Sequence, residues 1–404
     1  MTHPPRENDS TAREGQGDPN RLDTSLSERT TQDGNVAADA VLPSVGRLQA
    51  FLHLLSPSEM ARNLVLAEPP SVWNSAFAGV QAALVILIAL PAVQLSPRPH
   101  LIGFAALGAL PALFGRFHPP EERGRIVALC GLWQTIAVGS MSALSLFTSN
   151  EHLILLGLAA ACGIFYFVTA TIRPGPPGAL IFMFAGGAAI TPITAWSVVL
   201  ERMAVTAAVS GLSWLICALT ERWRQRATPE RRFPMDPQRP LVARSRVSLR
   251  VAVAAAGALF IAHALGAERP EWAAMGAVAV MQGVHLRVKM ERAIQRTIGT
   301  LIGAVLVWLI LVAEPNAWIV IASVAAFQFL TEVIIGYNYA LGQIVITPMA
   351  LLMAYLAAPP GGADPSMAGE RFISTLIGAS LGLVFAIAVS DAEARRELIH
   401  GPCR

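Results

Sequence analysis

Arg292 and Arg296 stand four residues apart at the threshold of an apolar run, in "MERAIQRTIGTLIGAV" at 290–305. A guanidinium offers a rigid fork of N–H donors that matches a carboxylate, and it keeps its charge where lysine loses it. Arg202 and Arg371 repeat the theme, each following a glutamate (Glu201, Glu370) and each opening an apolar run of its own. Trp272 and Gln282 fall in a short apolar segment, where they supply an aromatic face and an amide. Glu332, in "QFLTEVIIGYNYALGQIVITP" at 328–348, is a carboxylate inside an apolar stretch, the kind of group that couples a proton to transport. The chemistry these residues suit is the binding of a small organic anion, with Arg202, Arg292, Arg296, Arg371, Trp272 and Gln282 as its ligands. No Ser/His/Asp arrangement, His-rich metal cluster or paired carboxylates at one depth stand beside them, so catalytic residues, metal ligands and cofactors are not expected. Arginines at helix ends also anchor spans at headgroups, and Glu201 and Glu370 could bind the neighbouring arginines in structural ion pairs.

Such residues need a scaffold, and composition says which. With 54% hydrophobic and 14% charged residues among 404, and a positive mean hydropathy, the chain is too apolar for an ordinary globular core. An all-α membrane protein follows. Residues 1–45 differ in kind: they contain no apolar run and are rich in polar and charged residues, so a disordered cytoplasmic tail without a secretory signal is expected. Eight acids and four bases precede Pro43, which leaves 19 acids and 26 bases in a basic remainder. Cys130, Cys162 and Cys217 sit in apolar runs and Cys403 near the end, without a Cys-x-x-Cys, so neither disulfide nor metal is expected.

Counting stretches long enough to cross a bilayer, with allowance for short ones, predicts about twelve spans. They fall at 75–97, 100–115, 126–147, 152–170, 178–199 and 203–219, then at 247–267, 271–284, 297–313, 317–335, 340–358 and 372–389. The first six belong to a membrane unit at 46–220 and the second six to one at 246–390. A basic connector at 221–245 joins them, and a tail at 391–404 ends the chain. The arginines of the connector place it in the cytoplasm by the positive-inside rule, and both termini with it. Glu122-Arg123 recurs 169 residues later as Glu291-Arg292, and Glu201-Arg202 with Thr206 recurs at the same offset as Glu370-Arg371 with Thr375. Two parallel six-helix repeats are therefore predicted. Short second spans beginning near Pro99 and Pro270 mark matching places in both units, a pointer to a transport site. Gly299 with Gly303, and Gly378 with Gly382, have the four-residue spacing that lets helices pack closely in lipid.

The run "ERAIQRTIGTLIGAVLVWL", preceded by "RVSLRVAVAAAGALFIAHALGAERPEWAAMGAVAVMQ" and followed by "RFISTLIGASLGLVFAI", resembles the fusaric acid resistance family, which contains the bacterial aromatic acid exporters. The resemblance covers 246–389, with Arg-x-x-Gly-Thr-x-x-Gly at Arg296 to Gly303 its most specific part. The first unit carries Val127, Cys130 and Gly131 where the second has Arg296, Gly299 and Thr300. The resemblance implies a multi-pass bacterial inner-membrane exporter of small aromatic or lipophilic carboxylic acids, driven by the proton gradient. The six-helix unit is also similar to that of plant aluminium-activated malate channels, which implies a passive anion channel as the alternative. A non-transporting scaffold subunit is a third reading. The partners expected are a small organic anion, the lipid bilayer and a periplasmic adaptor protein, with no nucleic acid; the sequence leaves the oligomeric state open.

Overall fold

Apolar runs punctuated by Pro, Gly and Asn fold as helices because the bilayer offers the backbone no hydrogen-bond partners of its own. A computed structural model describes residues 46–54, 66, 69–228, 233, 238–283, 285–357, 365–391, 394, 395 and 398. The expected disordered tail at 1–45, part of the connector, the link at 358–364 and most of the C-terminal tail lie outside the described residues. Among the described residues there are thirteen α-helices and no strand.

Nine of these helices are long and apolar enough to cross a membrane: α2 (Val72–Gln94), α4 (Pro120–Phe147), α5 (Glu151–Ile172), α7 (Trp196–Thr220), α8 (Leu241–Ala264), α10 (Leu286–Val312), α11 (Ala317–Ile334), α12 (Tyr339–Ala357) and α13 (Met367–Ala388). Side-chain oxygens of Ser71, Asn150 and Asn316 cap α2, α5 and α11 by accepting from backbone N–H groups in the first turn. Leu87, Trp308, Val384 and many other large apolar side chains stand exposed, the surface of a protein that faces lipid. A short helix, α1 (Arg47–Leu54), precedes them.

The remaining three of the twelve expected spans are shorter. Residues 99–113 form the eight-residue α3 (Ile102–Ala109) between two 3-10 turns, because Pro99 and Pro111 each remove a backbone donor. In 178–199, α6 (Leu180–Ala188) ends after Gly186 and Gly187, and the chain is not helical again until α7 begins at Trp196. The third, α9 (Glu271–Met281), starts after Pro270 and stops before Gly283. All eight residues of α3 and ten of the eleven in α9 are buried. Short helices survive at membrane depth because longer neighbours, not lipid, surround their ends.

Small residues set the close approaches. On α13, Gly378 and Gly382 face the backbone of α9 at Ala273 and Ala277; a Cβ on Gly382 would lie 2.9 Å from Ala277 carbonyl oxygen. On α10, Gly299 and Gly303 face α12 at Ala340, Gln343, Ile344 and Thr347, with 2.8 Å between a Cβ at 303 and Ile344 oxygen. Packing also crosses between the two halves of the chain: α2 lies against α11 and α5 against α8.

Candidate functional site

Where these helices meet, a cavity of about 900 Å³ is enclosed by the loops 116–118 and 173–178, the end of α9, the first turns of α10 and α12, the last turns of α11, and Arg371 from α13. Its wall contains seven arginines and two glutamates. Such an excess of one sign in a concave, low-dielectric site concentrates anions.

Arg292 and Arg296 point to the same side of α10 because four residues separate them. Tyr339, at the start of α12, stands against both. Arg296 Nη1 donates to the Tyr339 hydroxyl at 3.0 Å, and the Arg292 guanidinium lies 5.9 Å from the centre of the Tyr339 ring. Arg292 is half-buried and also donates to the Ala279 carbonyl at 3.5 Å. Gly299 and Gly303 let α12 approach α10, which brings Tyr339 within reach.

Arg371 arrives from α13 by the analogous contact of Gly378 and Gly382 with α9. Its guanidinium lies 5.1 Å from the centre of the Trp272 ring, and Nη1 is 3.9 Å from Met275 Sδ. Arg296 and Arg371 are each 2% exposed, the Nε of each lacks a hydrogen-bond partner, and among the described residues neither forms an ion pair. Glu271 is within electrostatic reach of Arg371 but not within ion-pair distance. Two buried cations thus face the cavity with no carboxylate at ion-pair distance from either among the described residues.

The structure does not bring Arg202 to this cavity. Although it occupies the place 169 residues before Arg371, Arg202 Nη1 donates to Ser142 Oγ at 3.2 Å and the Ala189 carbonyl at 3.1 Å, and Nη2 to Thr191 Oγ1 at 2.6 Å. Its guanidinium stacks over Phe104 at 4.9 Å. Arg123, the counterpart of Arg292, is equally engaged, donating to Gln81 at 2.5 Å and Glu221 at 3.0 Å. Neither Glu201 nor Glu370 binds the arginine beside it: Glu201 pairs with Arg98, and Glu370 accepts from the backbone N–H of Arg269.

Trp272 is buried under Arg371 and Arg269 and lines a separate space of about 50 Å³, which shares Phe184 and Met275 with the larger cavity. Gln282 lines the large cavity, with its amide against Gly178, whose φ of +73° only glycine adopts freely. Glu332 lines it too, 3% exposed, in an ion pair with Arg116 from the loop after α3. Arg224 holds that loop by donating to the carbonyls of Arg116 at 2.5 Å and His118 at 3.1 Å.

Arg116, Gln328 and Thr331 belong to the cavity wall and were not singled out from sequence. Arg116 left no signal, since its partner lies 216 residues away. Gln328 and Thr331 did: with Glu332 they are the polar positions of one face of an otherwise apolar span.

Residues 255–385 match a family described as fusaric acid resistance protein-like. Arg292, Arg296, Glu332, Tyr339 and Arg371 lie inside this segment, whereas Arg116 and Arg202 lie outside it. The chain is also 32% identical, over 153 residues, to an uncharacterized membrane protein, YvaC, of Bacillus subtilis (strain 168). That alignment takes in 38% of this chain and 24% of the relative, so the chain spans about a quarter of the relative's length. No solved structure matches. The chain is a multi-pass membrane protein whose residues 255–385 are similar to the fusaric acid resistance protein-like family.

Proposed function

We propose that this protein transports small organic anions, aromatic carboxylic acids among them, outward across the bacterial inner membrane. The observation that carries this reading is the pair Arg296 and Arg371, buried at the cavity with no ion-pair partner among the described residues. An unpaired buried charge costs several kcal/mol, so cations kept in such a place answer to a ligand of opposite sign. In this reading the carboxylate binds the two guanidiniums beside Tyr339, and the apolar body rests among Met275, Ile346 and Met349. The volume is in the range of pockets for small organic ligands.

Recurring helix pairings support two parallel repeats: α3 with α7 and α9 with α13, α4 with α7 and α10 with α13, α4 with α6 and α10 with α12. Counting the three short helices, each repeat has six segments. The arginine-rich wall near Arg173, Arg239 and Arg244 supports a cytoplasmic mouth, with both termini on that side. Glu332 serves as the proton-coupling group, exchanging Arg116 for a proton. A passive anion channel is the second reading, favoured by that same ion pair, which engages Glu332 with Arg116.

Two measurements test these readings. In bacterial cells stripped of other pumps, expression lowers the accumulation of a panel of aromatic acids; unchanged accumulation contradicts the proposal. Anion current across a planar bilayer that follows the anion gradient and ignores pH selects the channel.

A further inference from the structure

Gln328, Thr331 and Glu332 fall on one face of α11, being three and four residues apart, and that face is part of the cavity wall. Glu332 has Arg116 as its partner. Its neighbours have none among the described residues: Gln328 is 0% exposed with both Nε2 and Oε1 unpartnered, and the Thr331 hydroxyl is unpartnered at 4% exposure. Buried amides and hydroxyls without partners cost stability, and native proteins hold only a few. Gln134 and Gln81 show the alternative. Gln134 donates to the Leu107 carbonyl at 3.1 Å, and Gln81 links Arg123 to Thr220, so both knit helices together.

We propose that Gln328 and Thr331 form a neutral hydrogen-bonding subsite for a hydroxyl or carboxamide group on the anion whose carboxylate sits at Arg296 and Arg371. The inference rests on the anion-binding reading of the cavity and narrows it to a class of ligand. A primary amide presents two donors and one acceptor, and a hydroxyl presents both roles, so the complementary group must both donate and accept. An alkyl group or halogen meets neither need. A second carboxylate accepts only, and it meets the negative charge of Glu332 one turn away. The ligand is therefore a monoanion with an apolar body and a neutral polar group at its far side.

Calorimetric titration of the full chain in detergent micelles, with phenylacetate and with 4-hydroxyphenylacetate, tests this. The wild type binds the hydroxylated acid roughly tenfold more tightly, the increment of one buried hydrogen bond. Gln328→Leu and Thr331→Val each reduce that preference, and together they abolish it, while phenylacetate affinity stays within about twofold. Arg371→Gln weakens both acids alike. The ligand-free Gln328→Leu protein melts no lower than wild type, since the amide it loses bonds to no other group. Equal affinities in the wild type, or a preference that survives the double substitution, overturn the subsite and leave the anion reading standing. A lowered melting temperature in ligand-free Gln328→Leu assigns the amide to structure and overturns it as well. If neither acid binds the wild type, the anion reading falls and the subsite with it.

Discussion

Arg202 and Arg371 follow glutamates at corresponding places in the chain, yet their surroundings give them opposite work. Three protein oxygens receive the Arg202 guanidinium, whereas Arg371 has a ring, a thioether and the cavity. Replacing each by glutamine separates the roles. Arg202→Gln breaks buried charge-assisted hydrogen bonds and destabilises the protein by roughly 2 kcal/mol, read as a lower melting temperature with anion affinity intact. Arg371→Gln and Arg296→Gln leave the melting temperature unchanged or raised, because they remove an uncompensated buried charge. Each weakens anion binding at least about tenfold. Sequence alone made Arg202 and Arg371 look equivalent, because the 169-residue offset reports only position along the chain. It does not report that Ser142 and Thr191 converge on one arginine and not on the other.

Glycines place these side chains by letting α13 meet α9 and α10 meet α12 at backbone distance. A side chain on Gly378 meets the Ala273 backbone, and one on Gly303 meets Ile344 and Thr347. Gly378→Val therefore costs about 1–3 kcal/mol of stability through overpacking, and it displaces Arg371 from Trp272, so anion affinity falls with melting temperature. Gly257, which has open space around it, is the control: Gly257→Ala changes neither. The four-residue spacing made these contacts legible, since in lipid it has few other uses. The helix ends were less so. Proline marked the start of α3 and α9 correctly, but the run at 178–199 reads as one apolar span by length and hydropathy, even though Gly186, Gly187 and Pro192 within it are breakers and the helix stops at Ala188. Arg202 on α7 then holds the non-helical stretch by donating to Ala189 and Thr191, contacts that no local pattern reveals.

At the scale of the molecule, the arginines of the two halves of the chain do different work, although both halves contribute to the cavity wall. Arg123 and Arg202 brace the first; Arg292, Arg296 and Arg371 line the cavity from the second, within the family segment. The first half supplies Arg116 across the divide as the ion-pair partner of Glu332. Glu332→Gln accordingly uncouples transport from the pH gradient while anion binding persists, as measured by anion flux at equal and unequal pH on the two sides of proteoliposomes. Membrane class and the cavity-lining charges of the second half were readable in the chain because charges stand out against apolar runs. The bridge between Arg116 and Glu332 was hidden, because folding alone joins residues that far apart. The most direct test of the account is the flux of radiolabelled phenylacetate through proteoliposomes containing wild type or Arg371→Gln protein. Flux through the wild type that drops at least about tenfold in the variant is the predicted result; equal flux through the two, or none through the wild type, contradicts it.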